Sequence, residues 1–335
     1  MKDLLERILD GRDLSATEAG TVMEALTDHA LSPAVGGALL GALRTKGETS
    51  EEVRGFADAM RRLAVPVRVP TDGSPVVDTC GTGGDGSGSL NLSTAAALIA
   101  AAAGARVVKH GNRSISSRAG SADVLETLGI PINLGPEEAV ACLAAHGFTF
   151  LFAPHYHPAM AAVMPIRRAM GVRTVFNMLG PLSNPAAPDH QVVGAFSLEA
   201  AEKMAHALSG MGLKRAFVVH GALGWDEATP MGPYHLFDVQ RGQVSHTKRD
   251  PIDVGIEPCT HTDLAGGDAE YNASALEALL RGKPGSHQDA ACLSAGLALE
   301  VAGLATDHIA GIALARAAIN DGSTGRLLDG LRGVS

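Results

Sequence analysis

The amino-acid sequence predicts an α/β protein in which a small all-helical domain precedes a larger domain built on a central, mainly parallel sheet. Three observations lead to this prediction. The chain has 335 residues, more than one core usually accommodates, so two domains are expected. Residues 1–66 carry helical patterns only, whereas short apolar runs alternate with helical segments from Val76 onward. This alternation is typical of parallel strands joined by helical crossovers.

The helical domain, residues 1–66, contains clear start signals for helices. Ser15-Ala16-Thr17-Glu18 and Thr49-Ser50-Glu51-Glu52 are capping-box patterns, and Ser32-Pro33 places a proline where a helix can begin. One buried helical face is predicted by the spacing of Val53, Phe56, Ala57, Met60 and Leu63. We expect residues 158–188, a helix-like segment followed by a Gly-Pro-rich loop, to return to this domain.

The α/β domain, residues 67–335, shows five β-like runs with helices between them. The predicted strands are Val76-Val77, Arg106-Val107-Val108, Phe148 to Phe152, Gln191 to Phe196 and Ala216 to Val219. The predicted helices are Ser93 to Ala103, Ser121 to Leu128, Glu137 to Ala145 and Leu198 to Met211. Because each predicted strand is followed by a helix, we expect these strands to lie parallel in the sheet.

Composition narrows the possible functions. A net charge of −9 argues against a nucleic-acid partner, because such binding depends on many lysines and arginines. No run of 18 uncharged apolar residues is present, which predicts no membrane span. The four cysteines lie far apart without metal-ligand spacing, as expected for reduced thiols in a cytoplasmic protein.

A glycine cluster follows the first predicted strand and precedes a helix, in the sequence Gly81-Thr82-Gly83-Gly84-Asp85-Gly86. Glycine-rich backbone at the start of a helix offers N–H groups to a phosphate. The cluster also fits G-x-G-x-x-G, but the next strand ends in Lys109-His110 instead of the acidic residue of a dinucleotide site. A P-loop is excluded because no Gly-Lys-Ser/Thr follows, and Asp85 would repel a pyrophosphate unless a divalent metal or ribose hydroxyls were its partner.

A second cluster, residues 109–121, combines cations with hydroxyl groups: Lys109, Arg113 and Arg118 with Ser114, Ser116, Ser117 and Ser121. Charge-assisted hydrogen bonds of this kind suit a pyrophosphate. A solvated basic turn is the alternative. Together, the two clusters favour an interpretation in which two strand-to-helix junctions face one polyphosphate.

Longer motifs resemble the anthranilate phosphoribosyltransferase family. They are the glycine cluster, Asn91-Leu92-Ser93-Thr94, Lys109-His110-Gly111-Asn112, residues 121–129, 151–160 and 173–185, Trp225-Asp226-Glu227 and, near the N-terminus, residues 43–49. The match runs through nearly the whole chain in order. It implies a nucleoside phosphorylase-like phosphoribosyltransferase fold and a magnesium-dependent enzyme of tryptophan biosynthesis that transfers phosphoribosyl from phosphoribosyl pyrophosphate (PRPP) to anthranilate, releasing pyrophosphate.

The resemblance also implies roles for individual residues. PRPP contacts fall on Gly81, Gly84, Asp85, Ser89, Asn91, Ser93, Thr94, Lys109, Ser117 and Ser121. Two Mg²⁺ ions are implied, with Ser93, Asp226 and Glu227 as ligands, and hard oxygen ligands suit this metal. Anthranilate contacts fall on Gly81, His110, Asn112, His157, Arg167, Gly180 and Pro181. No residue is expected to form a covalent intermediate.

Arg167 suits the acceptor carboxylate because a guanidinium can hold a carboxylate through two hydrogen bonds. Its neighbour Arg168 is expected to face solvent or a partner subunit. The resemblance further implies a homodimer formed through the helical domain. His110 and His157, taken alone, could equally be core or surface histidines.

Two other functions stay open at this stage: a pyrimidine-nucleoside phosphorylase of the same fold, and a non-catalytic relative that binds nucleic acid. The acidic balance disfavours the second. Two departures from the family pattern, Ser294 in place of asparagine and the variant Asn320-Asp321-Gly322, are expected to lie outside the pocket.

Overall fold

The computed structural model describes residues 1–70, 73–114 and 118–334 and begins with four helices. These are α1 (Lys2–Leu9), α2 (Ala16–Leu26), α3 (Pro33–Lys46) and α4 (Ser50–Leu63). Both predicted capping boxes are present: Ser15 and Glu18 bond reciprocally at the start of α2, as do Thr49 and Glu52 at α4. The all-helical character predicted for this region is confirmed.

Seven strands then form one sheet in the order β3-β2-β1-β4-β5-β6-β7. They are β1 (Val76–Gly81), β2 (Arg106–Gly111), β3 (Phe148–Phe152), β4 (His190–Gly194), β5 (Arg215–His220), β6 (Tyr234–Gln240) and β7 (Gln243–Arg249). The first five are parallel, and β6 and β7 are antiparallel. The predicted mainly parallel sheet is therefore confirmed, with an added hairpin whose last strand is polar and mostly exposed, as an edge strand should be.

Eleven further helices of the described residues complete the chain. They are α5 (Leu92–Ala102), α6 (Ser121–Thr127), α7 (Pro136–His146), α8 (Ala153–Tyr156), α9 (Met164–Met170), α10 (Phe176–Leu182), α11 (Leu198–Ser209), α12 (Ala269–Leu280), α13 (Ser286–Val301), α14 (His308–Asn320) and α15 (Ser323–Arg332). Small residues let them approach closely: a Cβ added at Gly311 of α14 would lie 2.4 Å from the Gly296 carbonyl oxygen of α13. Such contacts form a core without many aromatic residues.

The segment between β3 and β4 departs from the sequence-based prediction in two ways. The expected helix-like segment is broken into α8, a 3-10 turn (Pro158–Ala162) and α9. The expected Gly-Pro-rich loop contains a helix, α10, because Phe176, Met178 and Leu182 are buried and the proline stands in its last turn. Helix α9 packs on α3 and α10 on α4, within a core that the first four helices share with α11.

The sheet order creates a crevice at one place. From the adjacent strands β1 and β4 the chain proceeds outward in opposite directions, to β2 and β3 on one side and to β5 on the other. Ligands of open parallel sheets bind outside the carboxyl ends of the strands at such a switch point. Among the described residues, no helix combines the length and apolarity needed to cross a membrane.

Candidate active site

The carboxyl ends of β1 and β4 are glycines, Gly81 and Gly194, paired in register. Asp226 lies directly against both. A Cβ added at Gly194 would stand 1.5 Å from the Asp226 carbonyl oxygen, and one at Gly81 would stand 2.3 Å from Asp226 Oδ2. Glycine is therefore required at both strand ends for Asp226 to occupy the switch point.

The glycine loop, residues 82–91 between β1 and α5, folds onto Asp226. Gly83, Gly84, Gly86 and Gly88 have φ between +60° and +76°, a left-handed backbone that glycine adopts without strain. The Gly83 amide donates to Asp226 Oδ2 at 2.6 Å. In return the Asp226 amide donates to Asp85 Oδ2 at 3.3 Å.

Three acidic residues, Asp85, Asp226 and Glu227, form what we call the carboxylate cluster. Burial, followed by the charge of Asp85, raises the pKa of Asp226 to about 7. Burial and the charges of Asp226 and Asp85 raise the pKa of Glu227 well above its ordinary value. Glu227 Oε1 accepts the Ser93 amide at 2.9 Å, whereas Oε2 is buried without a hydrogen-bond partner among the described residues. If all three were ionised, the cluster would therefore carry more negative charge than its neighbours neutralise.

Lys109 lies beneath this cluster and is almost fully buried. Its Nζ donates to the Thr79 carbonyl oxygen and, at 3.4 Å, to Ser93 Oγ. Burial lowers the pKa of Lys109, and the nearby Asp78 opposes that shift. Asp78 is itself buried in β1, where its Oδ2 accepts Asn184 Nδ2 at 2.8 Å.

The remaining residues predicted to contact PRPP lie on or beside the glycine loop and the second cluster, residues 109–121. Asn91 donates to the Ala119 carbonyl oxygen at 3.2 Å, and Ser121 donates to the Asn112 carbonyl oxygen at 3.3 Å. Ser89 contacts the loop residue Ser87, which also bonds to Asp85. Thr94 is fully buried with its hydroxyl unpaired among the described residues. Ser117 lies outside the described residues.

A pair of buried histidines, His110 at the end of β2 and His157 after α8, forms the second part of the site. Their ring centroids are 5.1 Å apart. His110 Nδ1 lies 3.2 Å from the Gly180 carbonyl oxygen, so this nitrogen carries the proton. Burial lowers the pKa of His110 to about 3 and that of His157 to about 4, so both are neutral near pH 7. The Nε2 atom of each has no partner among the described residues.

Arg167 lies on the helix preceding α10 and stacks on the Phe176 ring, with Cζ 4.9 Å from the ring centroid. It forms no ion pair with any residue that the structure describes. Burial lowers the pKa of Arg167, which leaves a partly desolvated guanidinium. Arg168 is exposed, consistent with the expectation that it faces away from the site. Pro181 follows Gly180 in α10, where its carbonyl oxygen accepts Gln191 Nε2 at 3.0 Å.

Three residues of the site had no role in the sequence-based prediction. Asp78 could have been noticed as a charged residue inside an apolar strand, and Arg173 as the first residue of the motif at residues 173–185. Ser294 was expected outside the substrate pocket; with Asp226 and Glu227 it lines a separate small cavity of about 30 Å³. The contact arises because α13 packs on α5, which no local pattern indicates.

Known proteins with similar sequences and folds extend this description to the whole chain. The glycosyl transferase family's helical bundle domain matches residues 2–64 and its a/b domain matches residues 73–325. An anthranilate phosphoribosyltransferase of Solibacter usitatus (strain Ellin6076) is 45% identical over 319 residues, covering 95% of this chain and 94% of that protein.

Two solved structures are similar throughout. A crystal structure of the Thermus thermophilus anthranilate phosphoribosyltransferase superposes with a TM-score of 0.93 at 43% identity, covering 99% of both chains. The Saccharomyces cerevisiae enzyme in complex with PRPP and Mg superposes with a TM-score of 0.89 at 26% identity, covering 98% of this chain and 95% of that one. The chain therefore belongs to the anthranilate phosphoribosyltransferase family of glycosyl transferases.

Proposed function

We propose that this protein transfers the phosphoribosyl group of PRPP to anthranilate, giving N-(5-phosphoribosyl)anthranilate and pyrophosphate in tryptophan biosynthesis. The observation that carries the proposal is the meeting of a glycine loop, a carboxylate cluster and a neutral histidine pair along one edge of the sheet. Similarity to relatives of that name over the whole chain supports it. A phosphorylase or a nucleic-acid-binding relative is not favoured.

The carboxylate cluster is suited to Mg²⁺, which we propose as the cofactor, with two ions per subunit. The unpaired Glu227 Oε2 and the raised pKa values of Asp226 and Glu227 indicate a site that lacks positive charge. Ser93, Asp226 and Glu227 would hold the metal, and carboxylate and hydroxyl oxygens are ligands that Mg²⁺ accepts. When bound, Mg²⁺ stabilises the negative charge that develops on the leaving pyrophosphate.

The donor would lie over the glycine loop. Gly81, Gly84, Asp85, Ser89, Asn91, Ser93, Thr94, Lys109, Ser117 and Ser121 are the residues we propose for it. Backbone N–H groups of the glycine loop would face the diphosphate. Lys109 would supply a fixed positive charge from below, because its ammonium lies beside Ser93 in a buried position.

The acceptor would lie beside the histidine pair, in contact with Gly81, His110, Asn112, His157, Arg167, Gly180 and Pro181. His110 Nδ1–H donates to Gly180, so Nε2 is free to accept a hydrogen bond from the anthranilate amine. Arg167 would hold the anthranilate carboxylate. These contacts orient the amine toward the donor, and orientation alone can supply a large part of a rate enhancement.

In the reaction, the amine nitrogen forms a bond to the ribose C1 carbon while the bond from C1 to the pyrophosphate oxygen breaks. The amine lone pair supplies the new bond, and the breaking bond's electrons leave with pyrophosphate. The amine then loses a proton to the released pyrophosphate or to water. With its pKa near 3, His110 is a weak base, so it positions the amine and does not have to remove its proton beforehand.

The proposal is tested by incubating the protein with PRPP, Mg²⁺ and anthranilate and following the loss of anthranilate fluorescence. Arg167→Ala should raise the KM for anthranilate roughly 30-fold, as expected for a lost charge-assisted hydrogen-bonded pair. Arg168→Ala is the matched control and should change it less than twofold. No turnover by the unmodified protein would refute the function, and an unchanged KM in Arg167→Ala would remove Arg167 from its role.

We also propose that residues 1–66 together with about 158–188 form the helical domain, that residues 67–335 otherwise form the α/β domain, and that the helical domain mediates a homodimer. The packing of α9 on α3 and of α10 on α4 supports the first boundary. Leu9 of α1 and Val172 after α9 are large apolar residues that are 65% and 60% exposed, so they are positions at which the proposed dimer contact can be tested. Sedimentation equilibrium of the protein and of Leu9→Lys would test the dimer.

A further inference from the structure

One exposed arginine reaches the glycine loop from outside the carboxylate cluster. Arg173 lies in the connection between α9 and α10, and its Nη2 donates to the Gly84 carbonyl oxygen. Its Cζ also lies 4.5 Å from the centroid of the Phe196 ring. A guanidinium can make both contacts at once because it is planar, stacking by its face and donating at its edge.

Phe196 connects the same arginine to a second point on the loop. It follows β4 closely, and its backbone amide donates to Thr82 Oγ1 at 3.1 Å. The Phe196 main chain therefore holds Thr82, while its ring supports the arginine that holds Gly84. We call Arg173, Gly84 and Phe196 the loop latch.

The tip of the glycine loop, residues 83–88, depends on such contacts because side-chain packing does little to hold it. A Cβ added at Gly83, Gly86 or Gly88 would meet no atom within 4 Å. Backbone hydrogen bonds hold its ends, where the Thr82 amide donates to the Gly194 carbonyl oxygen and the Gly88 carbonyl oxygen accepts the Gly266 amide. At its tip, Asp226 holds Gly83, Asp85 bonds to the Asp226 amide, and Arg173 holds Gly84. Only the last of these comes from the α9–α10 connection.

That connection also joins the two helices that carry residues of the proposed anthranilate site. Arg167 lies on α9, and Gly180 of α10 accepts His110. Arg173 stands between them in sequence and bonds to the loop on the donor side. A shift of the connection would therefore be transmitted to Gly84, and a shift of the loop to the connection.

We propose that Arg173 is a positioning residue that ties the donor loop to the acceptor-side connection through the Gly84 carbonyl, so that both substrates are held in one arrangement. The proposal rests on the proposed function for its catalytic consequence. Arg173 acts through the loop and does not contact the reacting atoms.

The first test needs no turnover. Hydrogen–deuterium exchange of the full-length protein without ligands should show the amides of residues 82–89 exchanging about tenfold faster in Arg173→Ala, because one anchor of the loop is lost. Phe196→Leu, which removes the ring and keeps the main-chain bond to Thr82, should give a smaller increase. Arg173→Lys should recover part of the protection, since lysine can donate but cannot stack. Arg168→Ala should leave the loop unchanged.

The second test measures kinetics with PRPP, Mg²⁺ and anthranilate. Arg173→Ala should raise the KM for PRPP roughly tenfold and weaken the dependence of anthranilate affinity on bound PRPP. A raised KM with unchanged loop exchange would overturn the proposal, because Arg173 would then contact the donor itself. Unchanged exchange and KM, with or without a lower Tm, would also overturn it. Failure of the unmodified protein to react would refute the proposed function. The exchange result alone would then test whether Arg173 holds the glycine loop.

Discussion

The carboxylate cluster and the histidine pair lie along the same edge of the sheet and are buried alike, yet burial moves their pKa values in opposite directions. It raises those of Asp226 and Glu227 and lowers those of His110 and His157. In both cases the neutral form is favoured. The difference lies in what each region lacks: the cluster lacks a cation, whereas the histidine pair lacks a partner for each Nε2, which in His110 is an acceptor without a hydrogen-bond donor.

This contrast assigns the charged substrate and metal to one region and the neutral amine to the other. A desolvated carboxylate gains most from a nearby cation, because opposite charges attract more strongly away from bulk water. A neutral imidazole with a free Nε2 gains most from an N–H group. The two regions can therefore be separated by experiment.

The largest expected effect comes from removing charge at the cluster. Glu227→Gln keeps the shape of the side chain but removes a proposed metal ligand, so kcat/KM for PRPP should fall on the order of 1,000-fold. Anthranilate binding measured without PRPP should change less than threefold. Steady-state kinetics and calorimetric titration with anthranilate would measure the two quantities.

His110→Gln is the matched change in the other region. It should weaken anthranilate binding and leave the Mg²⁺ requirement unaltered. If Glu227→Gln instead weakened anthranilate binding as much as it reduced turnover, the assignment of the two regions to different substrates would be wrong.

A smaller effect should appear in the pH dependence of stability without Mg²⁺. The folded protein binds a proton at Asp226 up to about pH 7, whereas an unfolded aspartate loses it near its ordinary pKa of 3.8. Folding stability from this residue is therefore present at low pH and is lost as pH rises toward 7, with a slope of up to about 1.4 kcal/mol per pH unit. Glu227 acts in the same direction.

The histidine pair should act oppositely over much the same pH range, so the two contributions are separated by variants and not by pH alone. The unfolded histidines bind protons below about pH 6.5 that the folded protein binds only near pH 3 to 4, so their contribution is lost as pH falls below 6.5. Urea unfolding of these variants from pH 4.5 to 8 would separate the two. Asp226→Asn should remove the part of the stability that falls as the pH rises from 4.5 to about 7, and His110→Gln should remove the part that falls as the pH drops below 6.5. If the pH dependence between pH 4.5 and 7 were the same in Asp226→Asn as in the unmodified protein, deprotonation of Asp226 would not contribute to it.

Much of the fold follows from the sequence, because capping boxes at Ser15 and Thr49 and the strand-to-helix junctions at Gly81 and Lys109 are local signals. Local rules fail at α10, where buried Phe176 and Leu182 outweigh the Gly-Pro pair. The β6–β7 hairpin also went unpredicted, because its last strand is almost entirely polar.

The features of the site also divide into those with a local sequence signal and those that depend on long-range contacts. The glycine loop was identified from its composition, since glycine and phosphate binding are linked by backbone geometry. The position of Asp226 against Gly81 and Gly194, by contrast, depends on the register of β1 and β4. The Arg173 contact with Gly84 spans 89 residues and has no local signature. Long-range contacts of this kind need the assembled sheet.

The smallest expected effect concerns Ser294, which shares a cavity with Glu227. The Ser294 hydroxyl lies 3.4 Å from the Ala228 carbonyl oxygen, and the cavity has room for ordered water beside the unpaired Glu227 Oε2. In Ser294→Asn the longer amide should fill part of this space and donate to Oε2. The gain should be about 1 kcal/mol in the free energy of unfolding without Mg²⁺, with kcat changed less than threefold.

Thermal and urea unfolding at pH 7.5 would measure this change, with Ser294→Ala as the control that enlarges the cavity without adding a donor. The same bond should lower the pKa of Glu227, so the decline of stability with rising pH should become shallower in Ser294→Asn and stay as it is in Ser294→Ala. A destabilised Ser294→Asn would mean that the cavity cannot accept the amide. If Ser294→Asn were more stable but its stability declined with pH as steeply as before, the gain would come from packing. The new amide would then not donate a hydrogen bond to Glu227 Oε2.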